Sequence, residues 1–280
     1  MATIADRRRA YRELHQNGCF VIPNPWDIGT ARYLQHLGFK ALATTSAGFA
    51  FSRGRPDNAV PRDLMLAHIR EIVAAVDVPV NADFEGGYAR EPEGVAESVR
   101  LCVETGVAGL SIEDSTGDRS APLYDLERAV ARICAARAAI DRTDGDVLLT
   151  GRAECFLVGQ PDLDATIRRL TAYAVAGADC LYAPGIRQRE QIVAVVEAVA
   201  PKPVNLLISG PIGLTVSDAA ALGVRRISVG GALARMAWGG FIRAAKQIAD
   251  EGRFDAFADA APMPGVNGFF RDDLNQRTAS

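Results

Sequence analysis

Two carboxylates one residue apart offer the clearest chemistry in the chain. Residues 78–88 read VPVNADFEGGY, so Asp83 and Glu85 follow a short apolar run. In an extended strand, residues two apart point to the same side, and neighbouring carboxylates repel each other unless a cation or a shared proton lies between them. The pattern therefore predicts a site for a hard cation such as Mg²⁺. The alternative is that both acids are solvated in a helix cap or turn after an ordinary strand.

A cation site of this kind is best placed where the ends of several strands lie close together. The chain alternates short β-branched runs with longer helical patterns, which predicts such a sheet. Strands are predicted at 20–23, 41–45, 78–83, 109–113, 147–152, 180–183, 204–208 and 226–229. Helices are predicted at 28–37, 62–76, 92–105, 126–141, 162–176, 188–200, 217–222 and 231–251. Eight strands, each followed by a helix, predict an α/β fold of the (β/α)8 TIM-barrel type. A doubly wound open sheet is the competing fold, but no GxGxxG motif follows the first strand.

Polar residues are concentrated at the carboxyl ends of the predicted strands, which is the face where barrel enzymes carry their chemistry. The set comprises Asn24, Trp26, Asp27, Thr44, Thr45, Ser46, Asp83, Glu85, Glu113, Asp114, Arg152, Glu154, Tyr182, Asn205 and Ser228. Structural polar residues should fall at both ends of a barrel. This concentration therefore indicates a functional rim.

Residue types that are missing from this rim argue against several mechanisms. The histidines and lysines all lie away from the predicted strand ends, at His15, His36, His68, Lys40, Lys202 and Lys246. A Ser-His-Asp triad and a histidine-rich zinc site are therefore poorly supported. A Schiff-base mechanism has no lysine nucleophile at the rim. A metal ion, arginine and carboxylates remain as the chemical groups.

Composition limits the class of protein. The 280 residues are 49% hydrophobic, and we expect a barrel with an N-terminal helix over residues 1–257 and a C-terminal arm or tail over 258–280. No apolar run of about eighteen residues and no signal-peptide core occur, so a membrane span is not expected. The net charge of −3, without a basic patch, argues against nucleic acid. Five scattered cysteines indicate reduced thiols and a cytoplasmic protein.

Several segments, in register, resemble the isocitrate lyase / phosphoenolpyruvate mutase superfamily. They are VIPNPWD at 21–27, TTSAG at 44–48, PD at 56–57, DFEGGY at 83–88, IED at 112–114, GRAE at 151–154 and LGVRRISVG at 222–230. Each piece is weak, but together they are specific. The resemblance implies a barrel whose last helix is exchanged with a partner subunit, a bound Mg²⁺, and a 2-oxo or 2-hydroxy acid that reacts through an enolate.

The resemblance implies that three acids hold the metal. Asp83 would bind Mg²⁺, or Mn²⁺ in its place, directly, and Glu85 and Glu113 would act through its water ligands. From the residues alone, Glu113 and Asp114 could instead cap the next helix.

The resemblance also implies a substrate site, made of Thr45, Ser46, Ala47, Asp57, Arg152, Tyr182 and Asn205. Ser46, Asp57 and Arg152 are the predicted catalytic residues. Residues 45–47 would offer hydroxyl and backbone N–H groups to a carboxylate or an enolate oxygen. Arg152 would pair with a carboxylate, because its planar guanidinium matches that geometry.

Each of these assignments has a structural alternative. Asp57 could be a turn residue after Pro56, and Ser46 could be a turn hydroxyl. Arg152 could simply neutralise the acids around it. Tyr182 could be a core aromatic, and Asn205 could form hydrogen bonds at a strand end.

Departures from the superfamily patterns narrow the expected function. Residues 115–124 read STGDRSAPLY and lack the cysteine of isocitrate-type lyases and the lysine and Asn-Ser pair of the mutases, and the late histidine of the oxaloacetate decarboxylases is also absent. We expect a Mg²⁺-dependent lyase, oxaloacetate decarboxylase-like or another 2-oxo acid lyase, that cleaves a C–C bond of a small 2-oxo or 2-hydroxy carboxylic acid, by decarboxylation or retro-aldol cleavage. The alternatives are a phosphonopyruvate hydrolase or mutase-like P–C bond enzyme, an enzyme for a phosphorylated substrate held by the glycines at 209–213 and 229–231, and a non-catalytic keto-acid-binding barrel.

The last segments predict an assembly. Residues 236–257 read as helix, and Trp238, Phe241 and Phe254 would be exposed in a monomer, so a homodimer or homotetramer is expected. Residues 262–280 are either a docking arm or disordered. The small, polar loop 115–124 is predicted to close over the site.

Overall fold

The sheet is a ring of parallel strands, in a computed structural model that describes residues 2–143 and 146–278. Among these residues the strands are β1 (Phe20–Ile22), β2 (Leu42–Ala43), β3 (Val80–Asp83), β4 (Gly109–Glu113), β5 (Leu148–Arg152), β6 (Cys180–Tyr182), β7 (Val204–Leu207) and β8 (Arg226–Ser228). Their order is β1-β8-β7-β6-β5-β4-β3-β2. The predicted (β/α)8 barrel is confirmed. Met1 and residues 144–145 of the predicted barrel segment and residues 279–280 of the predicted tail lie outside the described residues.

An asparagine completes the ring where β1 and β2 meet. The backbone N–H of Ala43 donates to the carbonyl of Pro23 at 3.0 Å. The Asn24 side chain donates to the Thr44 carbonyl at 2.9 Å, and its Oδ1 accepts from the N–H groups of Val229 and Gly230. Asn24 therefore ties the ends of β1, β2 and β8 together, beside the predicted rim.

Helices surround the ring, and their side-chain caps explain where several begin. They are α1 (Ile4–Leu14), α2 (Ile28–His36), α3 (Ser46–Ser52), α4 (Arg62–Ala75), α5 (Pro92–Val103), α6 (Leu126–Asp141), α7 (Leu163–Val175), α8 (Arg189–Val199), α9 (Val216–Ala221), α10 (Ala232–Glu251) and α11 (Met263–Thr278). Asp27, Asp125 and Asp162 each accept a backbone N–H at a helix start. Helix α3 was not predicted. It begins directly after β2, where Thr45 Oγ1 accepts from the Gly48 N–H at 3.2 Å.

The core is apolar outside the ring, whereas the interior of the ring mixes apolar and polar side chains. Between strands and helices, α4 buries Met65, Ile69, Ile72 and Val73, spaced for one face of a helix. Barrel interiors are usually filled by branched apolar side chains. Here the strand residues Asn81, Ser111, Thr150, Asn205 and Arg226 are all buried. The interior below the rim therefore requires hydrogen bonds as well as packing.

The prediction of one continuous helix over residues 236–257 is wrong. Helix α10 ends at Glu251 because Gly252 adopts a left-handed conformation with φ of 66°, and a separate 3-10 helix covers Asp255–Asp259. The tail is ordered as α11. Its Asp273 pairs with Arg32 of α2 at 3.3 Å. No helix of the described residues is both long enough and apolar enough to cross a bilayer.

A buried histidine predicts a pH effect on stability. The His68 ring stacks on Phe49 with centroids 3.8 Å apart, and burial lowers the pKa of His68 from 6.5 to about 4. The unfolded chain therefore binds this proton more tightly than the folded chain does. The contribution of neutral His68 is complete above the ordinary pKa and is lost as the pH falls toward the folded value.

We expect the free energy of unfolding to fall by about 2 kcal/mol more in the wild type than in His68→Phe when the pH is lowered from about 7.5 to about 5. The phenyl ring keeps the stacking partner of Phe49 but cannot titrate. Urea unfolding at both pH values measures the difference. Equal losses in the two proteins would contradict the assignment.

Candidate active site

A cavity of about 350 Å³ opens at the carboxyl ends of the strands. The predicted site residues that line it are Thr45, Ser46, Ala47, Asp57, Asp83, Arg152, Tyr182 and Asn205. The structure thus brings most of the predicted set into one space. Glu113 lies beside this cavity, in contact with Arg152.

Arg152, the last residue of β5, is the centre of a buried charge cluster. Its Nη1 lies 3.3 Å from Asp83 Oδ1 and 3.1 Å from Glu113 Oε2, and its Nε donates to Glu154 Oε1. The guanidinium carbon also lies 5.2 Å from the ring centroid of Tyr182. The strand register explains these contacts, because Glu113 pairs with Arg152 and Arg152 pairs with Tyr182. One cation is therefore shared by three carboxylates.

The cluster carries an excess of negative charge. Burial raises the pKa of Glu113 well above its ordinary value, and the charges of Glu154 and Asp83 add to that rise while Arg152 opposes it. Burial acts to lower the pKa of Arg152, but the Glu113 and Glu154 carboxylates outweigh it and raise this pKa. A further cation, or protons, would stabilise such a site.

Ser46 fixes the position of Asp83. Its backbone N–H and its hydroxyl lie 2.9 and 3.0 Å from Asp83 Oδ2. The hydroxyl also lies 3.2 Å from Asp57 Oδ1, and burial together with the charge of Asp83 raises the pKa of Asp57. The serine has one hydroxyl hydrogen, which can be donated to Asp83 or to Asp57, and Asp57 Oδ1 also accepts from the Asn58 backbone N–H at 3.0 Å. Asp57 is therefore part of the cluster; the roles of Ser46 and Asp57 in catalysis stay predictions.

Glu85 is close enough for the charges of Asp83 and Arg152 to act on it, but it is not among the residues that line the cavity. The strand ends at Asp83, and Glu85 lies in the following turn with a left-handed φ of 47°. The argument from strand alternation is therefore wrong for Glu85. Burial and the charge of Asp83 raise its pKa to about 7, and its Oε1 is buried without a hydrogen-bond partner among the described residues. Its metal-binding role stays a prediction.

The carboxylates fit a hydrated metal better than a fully enclosed one. In the described part of the chain, no group of three or more His, Cys, Asp or Glu side chains forms a ready metal cluster. Mg²⁺ keeps several waters and commonly takes one or two carboxylates directly. Asp83 as a direct ligand, with Glu85 and Glu113 behind water, satisfies that preference. The buried, unpartnered Glu85 Oε1 supplies an acceptor that such a water could use.

Asp114 belongs to a supporting network that sequence reasoning missed. It accepts from the backbone N–H of Glu154 at 2.8 Å, from Arg169 at 3.1 Å and from the Tyr173 hydroxyl at 2.5 Å. The alternative in which Asp114 caps the next helix is wrong, because Asp125 has that role. These partners lie 40 to 59 residues away in sequence, so no local pattern indicated them.

The loop 115–124 is anchored to this network. Ser115 and Leu123 form an antiparallel bridge, and Arg169 donates to the Tyr124 carbonyl at 2.9 Å. The Tyr124 ring also lies 4.3 Å from the guanidinium carbon of Arg132. Both ends of the loop are thus held in place. Closure over the cavity stays a prediction.

Comparison with known proteins decides the family. Residues 11–249 match the family model of phosphoenolpyruvate phosphomutase. The chain belongs to the phosphoenolpyruvate phosphomutase family. The predicted resemblance to the isocitrate lyase / phosphoenolpyruvate mutase superfamily, a superfamily of lyases and mutases, is therefore confirmed.

Individual relatives of this phosphomutase family member agree in sequence and in structure. The oxaloacetate decarboxylase of Paraburkholderia xenovorans is 32% identical over 230 residues, which covers 79% of this chain and 74% of that protein. The structure of a candidate lyase/mutase from Burkholderia cenocepacia is 50% identical, with a TM-score of 0.92 and coverage of 96% of this chain and 97% of that one. Oxaloacetate acetylhydrolase in complex with oxalate is 26% identical, with a TM-score of 0.84 over the whole of both chains.

The shared cation predicts a large effect of Arg152 on stability. Arg152→Met would leave Asp83, Glu113 and Glu154 without their common partner. We expect a loss of about 3–5 kcal/mol in the free energy of unfolding near neutral pH, because the buried charges stay uncompensated. Urea unfolding measures it.

Arg100→Met is the matched control, because Arg100 also bridges two carboxylates, Glu97 and Glu104, but on an exposed helix face. Its loss should stay below about 1 kcal/mol. Similar losses in the two variants would show that the Arg152 cluster is not a buried, mutually dependent unit.

Proposed function

We propose that this chain is a Mg²⁺-dependent lyase that cleaves a C–C bond of a small 2-oxo or 2-hydroxy carboxylic acid through an enolate. The single observation that carries the proposal is the cluster of Asp83, Glu113 and Glu154 around Arg152 at the wall of a cavity. Three carboxylates contact a single guanidinium, so the cluster has an excess of negative charge that a divalent cation would compensate. A guanidinium at the same wall suits the carboxylate of a substrate.

The named relatives support a keto-acid substrate of this size. One relative is an oxaloacetate decarboxylase, and another is an oxaloacetate acetylhydrolase whose structure contains the product oxalate. Oxaloacetate is small enough for a cavity of about 350 Å³. We therefore take oxaloacetate and its close analogues as the first substrates to test.

In the proposed reaction, different residues would bind the substrate, hold the metal ion and stabilise the enolate. Arg152 would bind a substrate carboxylate, and Asp83, held by Ser46, would hold the metal together with Glu85 and Glu113 behind water. A bound Mg²⁺ would polarise the 2-oxo carbonyl. When the bond between C3 and the departing carboxylate breaks, its electron pair stays on the substrate as an enolate and CO₂ leaves. The Ala47 N–H is the proposed donor to the enolate oxygen, because the Ser46 hydroxyl hydrogen is already directed at Asp83.

A P–C bond reaction is the second candidate, because the matching family model is that of a phosphomutase. Such a reaction needs the cavity to hold a phosphonate in addition to a carboxylate. Phosphonopyruvate therefore belongs among the test substrates.

We expect turnover of oxaloacetate or of a 4-hydroxy-2-oxo acid when Mg²⁺ is present, and none after chelation with EDTA. The panel adds 2-methylisocitrate and phosphonopyruvate. Product analysis by NMR separates pyruvate, the product of decarboxylation, from oxalate plus acetate, the products of hydrolysis. Exclusive turnover of phosphonopyruvate would transfer the assignment to P–C chemistry, and no turnover at all would favour a binding protein.

Asp83→Asn is the control for this panel, since it removes one negative charge and keeps the shape of the side chain. We expect it to abolish turnover and to weaken Mn²⁺ binding, measured by electron paramagnetic resonance, by about tenfold or more. Undiminished Mn²⁺ binding would contradict the assignment of Asp83 as the direct ligand.

We also propose that the chain forms a homodimer or homotetramer through α10. Only Ala234 of the twenty residues in this helix is buried in the single chain. Met236 and Phe241 are 73% and 62% exposed, and Trp238 and Ile242 are also exposed. An apolar face of this kind needs a cover in water.

A charge in the middle of this face should break the assembly. We expect Phe241→Asp to run as a smaller species than the wild type in size-exclusion chromatography with light scattering. Lys246→Asp is the control, because Lys246 belongs to the same helix but is not one of the exposed apolar residues. A wild type with the mass of one chain would refute the proposal directly.

A further inference from the structure

An arginine of α6 is buried against the turn that carries Glu85. Arg132 is 1% exposed, although every other buried residue of α6 is apolar. Its Nη1 donates to the carbonyls of Ala89 and Arg90 at 2.6 and 2.7 Å, and its Nη2 donates to the carbonyl of Gly86. In the described part of the chain, its hydrogen-bond and ion-pair partners include no carboxylate. A buried charge with only neutral partners is costly, which points to a role beyond packing.

The turn that these contacts hold has an unusual backbone. Glu85 and Tyr88 have positive φ values of 47° and 55°, and Gly87 between them has a φ of 74°. Residues with a Cβ rarely adopt this conformation, and they keep it where the surrounding structure imposes it. Within the turn, the backbone N–H of Gly87 donates to the carbonyl of Phe84 at 2.9 Å. The three carbonyl contacts of Arg132 add a constraint from outside the turn.

The same turn is joined to Glu113, the other acid predicted to act through the water ligands of the metal. The backbone carbonyl of Glu85 accepts from the backbone N–H of Glu113 at 3.1 Å. A Cβ added to Gly86 would lie 3.1 Å from Arg132 Nη2 and 3.7 Å from the carbonyl oxygen of Glu113. The glycine therefore lets the guanidinium approach the backbone closely at this point. Any shift of the guanidinium would move the backbone on which Glu85 is carried.

An aromatic ring lies over the guanidinium of Arg132. The centroid of the Tyr124 ring is 4.3 Å from the guanidinium carbon, which is within the range of a cation–π contact. A guanidinium that stacks by its face keeps its edges for hydrogen bonds, so the two kinds of contact together fix its plane. The backbone N–H of Tyr124 donates to the carbonyl of Asp114 at 3.0 Å. Arg132 thus lies between the Glu85 turn and the end of the loop 115–124.

We propose that Arg132 is a positioning residue for the metal site, because it holds the Glu85 turn in the left-handed conformation that places the Glu85 carboxylate beside Asp83. This inference rests on the proposed function, in which Asp83 binds the ion and Glu85 acts through its water ligands. Arg132 would act through the backbone of residues 86–90 and not by contact with the ion. Removing an outer group that orients metal ligands commonly weakens metal binding by about 10- to 100-fold.

The first measurement is Mn²⁺ binding by electron paramagnetic resonance, which needs no turnover. We expect Arg132→Met to weaken binding about tenfold or more, because methionine fills space but donates to no carbonyl. Arg132→Lys should recover part of the affinity, since an ammonium group can donate to some of the three carbonyls.

Arg137→Met is the matched control. Arg137 also belongs to α6 and is largely buried, with a side chain that is 17% exposed, but it pairs with Asp141 and Asp179. Its loss should lower stability, yet Mn²⁺ affinity should stay within about twofold of the wild type because the Glu85 turn is untouched.

The second measurement tests the turn without any metal. Hydrogen exchange followed by mass spectrometry reports how well the amides of residues 84–90 are protected. In Arg132→Met we expect this segment to exchange about tenfold or more faster, as the loss of hydrogen bonds from a charged donor would give. In Arg137→Met the same segment should exchange within about twofold of the wild-type rate.

Gly86→Ala tests the same contact from the opposite side. The added Cβ would press on Arg132 Nη2 and leave the charge in place. We expect weaker Mn²⁺ binding and faster exchange, both by less than in Arg132→Met. If Arg132→Met does not fold, Gly86→Ala and Arg132→Lys decide the matter, and wild-type affinity in both would overturn the inference.

The outcomes separate this inference from the proposed function. Weaker Mn²⁺ binding and faster exchange in Arg132→Met, with partial recovery in Arg132→Lys, support the inference. Unchanged Mn²⁺ affinity in a folded Arg132→Met, or an equal loss in Arg137→Met, overturns the inference and leaves the proposed function standing. A wild type that binds no Mn²⁺ refutes the proposed metal, and the exchange rates of residues 84–90 then decide whether Arg132 holds the turn.

Discussion

The sharing of one guanidinium among several buried carboxylates is the interaction on which the rim of this barrel depends. Arg152 contacts Asp83, Glu113 and Glu154, which come from β3, from the end of β4 and from the segment after β5. Each acid would resist burial alone. Together with Arg152 they form a unit in which charge remains unbalanced. That imbalance makes the rim suitable for a cation and the guanidinium suitable for an anionic substrate, so the same contacts serve stability and chemistry.

The positions of the elements could be predicted because each is a local property of the sequence. The strands were predicted from short β-branched runs that end in polar residues. The predicted bounds of β4 agree with the observed ones, and the predicted ends of the other strands lie within two residues of the observed ends. The convergence of Asp83, Arg152 and Asn205 then follows from barrel topology, since parallel strands present their carboxyl ends on one face. The family resemblance, which rested on several weak segments in register, indicated that these residues form one site. No single motif indicated this.

The unpredicted features depend on contacts between distant segments or on exceptional backbone. Asp114 meets Tyr173 across 59 residues, and Arg226 meets Tyr11 across 215 residues. Neither pairing leaves a periodic pattern. Glu85 does not follow the strand alternation because it lies in a turn with a left-handed backbone. Residues other than glycine rarely adopt this conformation, so the sequence did not indicate the turn. Helix α3 was hidden because TTSAG reads equally well as a strand end and as the start of a helix.

Two arginines at different depths, Arg152 and Arg226, line the cavity and have different surroundings. Arg152 lies among acids at the rim, whereas Arg226 lies among neutral acceptors below it. The three acids around Arg152 more than compensate its charge. Among the described residues, the hydrogen-bond and ion-pair partners of Arg226 include no carboxylate, so no neighbouring acid compensates its charge. The wall of the cavity is therefore more negative at the rim, around Arg152, than below it, around Arg226.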